Sequence, residues 1–244
     1  MSFKESFYPE SRFGGFTDVD GNIAFYLRVS ALLEPSSVVL DFGCGRGSYV
    51  DDPFPIHRQL RSFQGRAQRV IGMDVDEGAA ANPFLDEFHL LTGEAWPLDD
   101  DSVDLCVCDS VLEHVERPAP FFSEARRVLR KGGYLCIRTP NAWGYVGLVS
   151  RLVPNRLHVK VLARVGESPA NEADVFPTHY RCNSIPRLRR MLGEQGFDHV
   201  VYGYEAEPSY LHFSKLAYWL GVLHQRFAPR FLRLALFAFA RLEK

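Results

Sequence analysis

Between Val38 and Ser48 the chain reads Val-Val-Leu-Asp-Phe-Gly-Cys-Gly-Arg-Gly-Ser. Val38, Val39 and Leu40 form a short apolar run that stops at an acid, Asp41. Gly43, Gly45 and Gly47 then occupy alternate positions. A backbone without Cβ atoms can turn sharply and approach a ligand closely. A buried strand that runs into such a turn predicts the carboxyl edge of a parallel sheet. In open α/β folds this edge takes nucleotide-like ligands.

The rest of the chain has the rhythm that such a sheet needs. Short apolar runs at Val70–Asp74, Phe88–Leu91, Val103–Asp109, Tyr134–Thr139 and Phe197–Tyr204 read as strands. Leu234 to Ala240 is apolar at every position and bracketed by Arg233 and Arg241, which predicts a last strand covered on both faces. Helical patterns run from Asn22 to Leu33, with a stripe of Ile23, Tyr26, Leu27, Ser30 and Ala31, from Pro120 to Arg130, and from Ile185 to Glu194, which Gly196 stops. Strands alternating with helices predict a doubly wound α/β fold with helices on both faces of the sheet. Residues 141–180 break the rhythm and read as an insertion. Tyr210 to Phe227 carries apolar residues at 213, 216, 217, 220, 223 and 227, a helical stripe suited to a lid, a dimer contact or a peripheral membrane contact.

Composition narrows the function. No apolar run approaches a membrane span, and the first residues lack a secretory h-region, so a cytoplasmic protein is expected. The five cysteines show no CxxC pair and read as core residues, and no metal site is expected. Net charge is −2, but residues 1–122 hold 9 Lys/Arg against 21 Asp/Glu, and residues 123–244 hold 19 against 9. That asymmetry fits either an anionic partner for the second half or two faces that attract each other. The overall balance and the lack of an added binding module argue against nucleic acid.

The glycine spacing departs from the G-x-G-x-x-G of dinucleotide-binding loops, because Ser48 stands where the third glycine would fall, and no P-loop lysine is present. Asp41-Phe-Gly43-Cys-Gly45-Arg-Gly47 instead resembles the first motif of class I S-adenosylmethionine-dependent methyltransferases. Ile71 to Asp76, Leu91 to Leu98, Ser102 to Val115 and Arg127 to Gly133 are similar to the family's later segments, in the same order. The span from Gly47 to Asp74 is long for the family, which points to an insertion at residues 51–68. Residues 138–141 and 174–182 resemble a bacterial small-molecule branch.

The resemblance implies a Rossmann-like, mostly parallel seven-stranded sheet with an antiparallel last strand. It implies an arm and helix over residues 1–35 covering the site, and a methyltransferase domain over 36–244 with insertions at about 141–180 and 209–228. S-adenosylmethionine is the implied cofactor, and S-adenosylhomocysteine the product. Asp41, Gly43, Cys44, Gly45 and Gly47 would hold the methionine part, and Asp74 with Val75 the ribose. Glu94 and Ala95 would meet adenine, with Asp109 and Ser110 beside the methyl group. His114 and His179 are the candidate bases, since imidazole as a class titrates near neutrality. Asn141, Tyr145, His158, Tyr180 and Arg181 are candidate contacts for a small-molecule acceptor. The alternative is a non-catalytic protein that keeps this fold to bind an anionic lipid or a protein partner.

Overall fold

The computed structural model describes residues 3–152 and 176–243. Its centre is a seven-stranded sheet: Val38–Phe42 (β1), Arg69–Asp74 (β2), Glu87–Leu90 (β3), Val103–Asp109 (β4), Leu129–Pro140 (β5), Phe197–Tyr204 (β6) and Ala235–Leu242 (β7). The order across the sheet is β3-β2-β1-β4-β5-β7-β6. β1 to β5 pair in parallel, and β7 runs antiparallel to both of its neighbours, β5 and β6. β7 is therefore an interior strand, which is why its apolar run is unbroken: Leu236, Phe237, Ala238 and Ala240 are all buried.

Strand alternation divides the core. Leu40, Phe42, Cys106, Cys108 and Ile137 face one side, where they meet Phe122, Ala125 and Val128 of the helix Pro118–Val128 and Leu188 and Leu192 of the helix Ile185–Glu194. Val39, Leu105, Val107, Cys136 and Phe237 face the other, against Phe25, Tyr26 and Val29 of the helix Gly21–Leu32. Asp20 caps that helix, accepting a hydrogen bond from the Ile23 amide at 2.9 Å. Its buried face differs from the expected stripe. Leu27 is exposed, and Phe25 points inward because its ring packs edge-on against Phe237 at 5.4 Å.

Two boundaries also differ. β5 starts at Leu129 rather than Tyr134, because buried Leu129 already pairs with Val103. The chain then loops out through Gly132 (φ 81°) before Tyr134 meets Leu105. The helix near the C-terminus covers Lys215–Phe227 only. The residues before it form a short 3-10 turn at Ser209–Leu211, and Ser214 caps the helix through the Ala217 amide.

The expected insertion at 51–68 contains the helix Pro55–Arg61. Its buried His57 lies 2.9 Å from Asp52 and 3.1 Å from Asp20, tying the segment to the start of the Gly21–Leu32 helix. The helix Phe3–Phe7 packs on Tyr218, with ring centroids of Phe3 and Phe7 at 6.2 and 5.5 Å. Residues 153–175, with His158, lie outside the described residues.

Candidate active site

The strand ends converge on a cleft of about 880 Å³ at the carboxyl edge of β1, β2 and β4. Its floor is the glycine turn. Gly43 has φ 73°, and a Cβ there would lie 2.2 Å from Val111. Its N–H donates to the Met73 carbonyl at 2.7 Å, joining the turn to the end of β2. Gly45 (φ 54°) opens onto empty space, with nothing within 4 Å of where its Cβ would stand. A glycine cradle of this kind leaves backbone, not side chain, facing a ligand.

Asp74 at the end of β2 braces that cradle. Its Oδ2 accepts from the Gly45 amide at 2.9 Å and its Oδ1 from the Asp76 amide at 3.0 Å. A carboxylate has about four acceptor positions, so both oxygens can still accept from a pair of hydroxyls. Arg46 reaches across to Asp76 at 2.7 Å. Hydrogen bonding from the Gly78 amide, then from Arg46, holds the Asp76 carboxyl below its usual range.

The adjoining wall is apolar. Trp96 stacks on Phe42 at 4.7 Å and meets Phe121 edge-on at 5.6 Å. Its backbone amide donates to Glu124 at 2.7 Å, which fixes the loop that carries it. Leu91, Gly93 and Glu94 continue this wall, and an exposed Glu94–Arg117 ion pair stands at the rim.

The opposite wall comes from the exit of β4. Ser110 lines the cleft with φ 59°, an uncommon conformation for a residue with a side chain. His114 follows on the 3-10 turn Leu112–His114. Its Nδ1 lies 2.9 Å from the Pro177 carbonyl. A carbonyl only accepts, so Nδ1 carries the hydrogen, and Nε2 lies 3.9 Å from a Glu113 carboxylate oxygen. The Glu113 carbonyl accepts from the amides of His179 at 2.7 Å and Tyr180 at 3.2 Å. These bonds draw Phe176, Pro177 and His179 into the same wall as His114. The Glu113 carboxyl is buried and accepts from Thr139 at 2.9 Å; burial raises its pKa.

Of the residues singled out in the sequence, Gly43, Gly45, Asp74, Val75, Glu94, Ser110, His114 and His179 line the cleft. Asp41, Cys44, Gly47, Ala95 and Asp109 stand behind or beside the lining. Burial pushes the Asp41 carboxyl up to about 7, and Arg61 offsets this in part. Asp109 is held by Arg138 through two 2.6 Å bonds and by the Tyr26 hydroxyl at 2.7 Å. Gly47 packs so closely that a Cβ would lie 2.6 Å from Asn82.

The candidate acceptor residues sit elsewhere. Asn141 is buried and donates to the carbonyls of Phe231 and Arg233 at 2.8 and 2.7 Å, stitching the exit of β5 to the approach of β7. Tyr145 packs edge-on against His224 at 5.4 Å. Tyr180 is buried at φ 50°, and Arg181 is exposed, its carbonyl accepting from Arg187. Among the described residues, none of 3–35 lines the cleft.

Residues without a prior role matter here. Buried Asn82 donates to the carbonyls of Cys44 and Gly45, both at 3.1 Å, and so locks the glycine turn. Trp96 and Phe121 supply the aromatic wall. An Asn before a proline in a loop carries no local signal for this task; only the turn that folds over it does.

Residues 40–137, which hold the cradle, Asp74 and the β4 exit, match the model of the methyltransferase domain family. A probable S-adenosylmethionine-dependent methyltransferase of Mycolicibacterium smegmatis is 32% identical over 165 residues, covering 66% of this chain and 51% of that protein. Residues 40–137 carry the methyltransferase domain of the class I S-adenosylmethionine-dependent superfamily. The family's cofactor is S-adenosylmethionine, and the open cradle with a braced carboxylate fits it. The chain spans about half the length of the curated relatives it matches. The fold is shared with geranyl diphosphate C-methyltransferase from Streptomyces coelicolor, solved with S-adenosylhomocysteine (TM-score 0.51, 14% identity, 91% of this chain and 77% of that one). It is shared equally with the [4+2]-cyclase SpnF (TM-score 0.54, 15% identity, 90% and 80%). Fold alone therefore leaves the reaction open.

Proposed function

We propose that the chain transfers a methyl group from S-adenosylmethionine to a small molecule, with His114 as the base. One observation carries the reading: a glycine cradle braced by Asp74 faces an imidazole whose Nδ1 is committed to a carbonyl. The cofactor supplies an electrophilic methyl group on a sulfonium. The protein's own task is to hold and orient. Asp74 accepts from the two ribose hydroxyls, Leu91 and Trp96 border the adenine, and the backbone of Gly43 to Gly45 faces the methionine portion. Phe42, Phe121 and Phe176 keep water from the space next to it. Alignment of an attacking atom in such a space contributes on the order of 7–11 kcal/mol at best.

The acceptor enters between the Trp96 wall and the His114–His179 wall. The Pro177 carbonyl fixes the His114 ring, so Nε2 is the atom that takes a proton from an acceptor hydroxyl or ammonium. Loss of a general base costs about 10²- to 10⁴-fold in rate. His114→Ala is therefore expected to lower kcat by roughly 100-fold or more while S-adenosylhomocysteine binds as before. His114→Asn, which keeps a donor toward Pro177, should be just as slow. An unchanged kcat in both variants would remove His114 from the chemistry.

Isothermal titration of the purified chain with S-adenosylhomocysteine tests the reading at its base, and absence of binding defeats it. Binding without methyl transfer to any acceptor in a panel of hydroxy and amino compounds favours the second reading, a binding protein on the same fold. The shared fold of SpnF is the observation that keeps that reading in view.

A further inference from the structure

We propose that the helix Lys215–Phe227 and the turn after it form a docking face for an anionic lipid bilayer surface. The helix has two unlike sides. Tyr218, Gly221 and Val222 point inward, where Tyr8, Phe3 and Phe7 cover Tyr218. Among the described residues, the other side is left exposed. Phe213 is 63% exposed, Leu216 66%, Leu220 52% and Phe227 78%, and Trp219 is exposed between them. Residues 216, 219, 220, 223 and 227 recur at helical spacing, so this is one stripe rather than scattered surface residues. The turn that follows adds exposed Phe231. A contiguous apolar face of this kind on a folded chain marks an interaction site.

Charge selects the occupant. No Asp or Glu occurs from Pro208 to Leu242, whereas Lys215, Arg226, Arg230, Arg233 and Arg241 do. Lys215, Arg226 and Arg230 are exposed, at the two ends of the stripe. Large apolar side chains with an indole among them and exposed cations at both ends match the headgroup–acyl boundary of an anionic membrane, while the nearby Glu207 is engaged by His212 and the Tyr218 hydroxyl. A second copy of the same face would bring these cations against one another with no carboxylate from the same stretch to balance them.

The face also sits at a telling edge. β5 and β6 both run antiparallel to β7, so β6 ends at the same sheet edge as β1, β2 and β4. The connection that carries the helix leaves from that edge, the one that bears the cleft. Docking here is independent of methyl transfer: vesicle binding is measured without cofactor, and its failure leaves the titration with S-adenosylhomocysteine untouched.

The test is co-sedimentation of the full chain with extruded vesicles. One set is pure phosphatidylcholine, and the other is phosphatidylcholine and phosphatidylglycerol in equal parts. The chain is expected to pellet with the anionic set and much less with the neutral one, and to be released as salt rises. Leu216→Glu with Leu220→Glu, both solvent-facing, should keep the far-ultraviolet circular dichroism and weaken vesicle binding at least tenfold. Arg226→Glu with Arg230→Glu should weaken it by roughly tenfold or more on the anionic set alone. Failure of the wild-type chain to pellet overturns the proposal, as does binding that neither pair of substitutions changes. Light scattering that shows a dimer converted to monomer by the Leu216 and Leu220 changes, without vesicle binding, assigns the face to self-association and overturns it as well.

Discussion

Replacing Arg138 by methionine is expected to destabilise the fold by about 3–5 kcal/mol, a large share of the ~5–15 kcal/mol that holds a domain of this kind together. Arg138 grips Asp109 with two 2.6 Å bonds, and its guanidinium lies over the rings of Phe25 and Tyr26 at 5.4 and 5.5 Å. Methionine fills similar volume but leaves the Asp109 carboxylate with the Tyr26 and Ser110 hydroxyls as side-chain partners. Urea unfolding measures the loss as a drop in midpoint at constant slope. Adding Asp109→Asn should recover much of the loss, because the stranded charge is then gone. Burial by itself raises the Asp109 carboxyl, but the Arg138 charge and hydrogen bonds outweigh that and bring it below its usual range. A lowered carboxylate pKa contributes stability above the unfolded value of about 3.9, and the contribution is lost as pH falls through the folded value. The gap between wild type and Arg138→Met should therefore narrow in acid. A loss under about 1 kcal/mol, the range of an exposed pair, would contradict the picture of a buried clamp.

Replacing Asp74 by alanine is expected to weaken S-adenosylhomocysteine binding by roughly 100-fold or more. Two hydrogen bonds to a charged acceptor are worth about 1.5–3 kcal/mol each, and every 1.4 kcal/mol is about tenfold. The side chain does two jobs, since it would take the ribose and already accepts from the Gly45 and Asp76 amides. Asp74→Asn separates them. The amide oxygen can still accept from one loop amide, so the fold of the turn is largely kept while the second acceptor is lost, and affinity should fall between wild type and alanine. Isothermal titration reads both variants, with the thermal midpoint as a check on folding. Affinity within threefold of wild type for Asp74→Ala would move the ribose contact elsewhere.

The same side chains show how much of the molecule was legible in its sequence. Strands announce themselves locally, because a strand covered on both faces is apolar at nearly every position. Val103–Asp109 and the run from Leu234 could be read for that reason. The glycine turn and the acid ending β2 were equally legible, since positive φ at Gly43 and Gly45 is a demand on single residues. The resemblance supplied the order of the motifs, and the cleft brings together Gly43, Asp74, Glu94 and Ser110 from four separate segments. Asp109 shows the limit. As an acid at a strand end it looked like Asp74, yet Tyr26 from 83 residues earlier and Arg138 from 29 residues later enclose it.

Periodicity likewise could place a stripe on the helix near residues 215–227 but could not say which side would be covered. Tyr218 turned inward because the Phe3–Phe7 helix lies against it, and the leucines were left outside. Asn82 under the glycine turn, Pro177 against His114 and Phe25 against Phe237 are contacts of the same kind.

What the sequence by itself determined is therefore the sheet, the glycine turn and the family, each written in spacings of a few residues. What only the tertiary structure decided is which acid faces the cleft, which histidine nitrogen meets the Pro177 carbonyl and which face of a helix stays exposed among the described residues. Those depend on partners far away in the chain, and burial and hydrogen bonding between distant segments leave no local period to read.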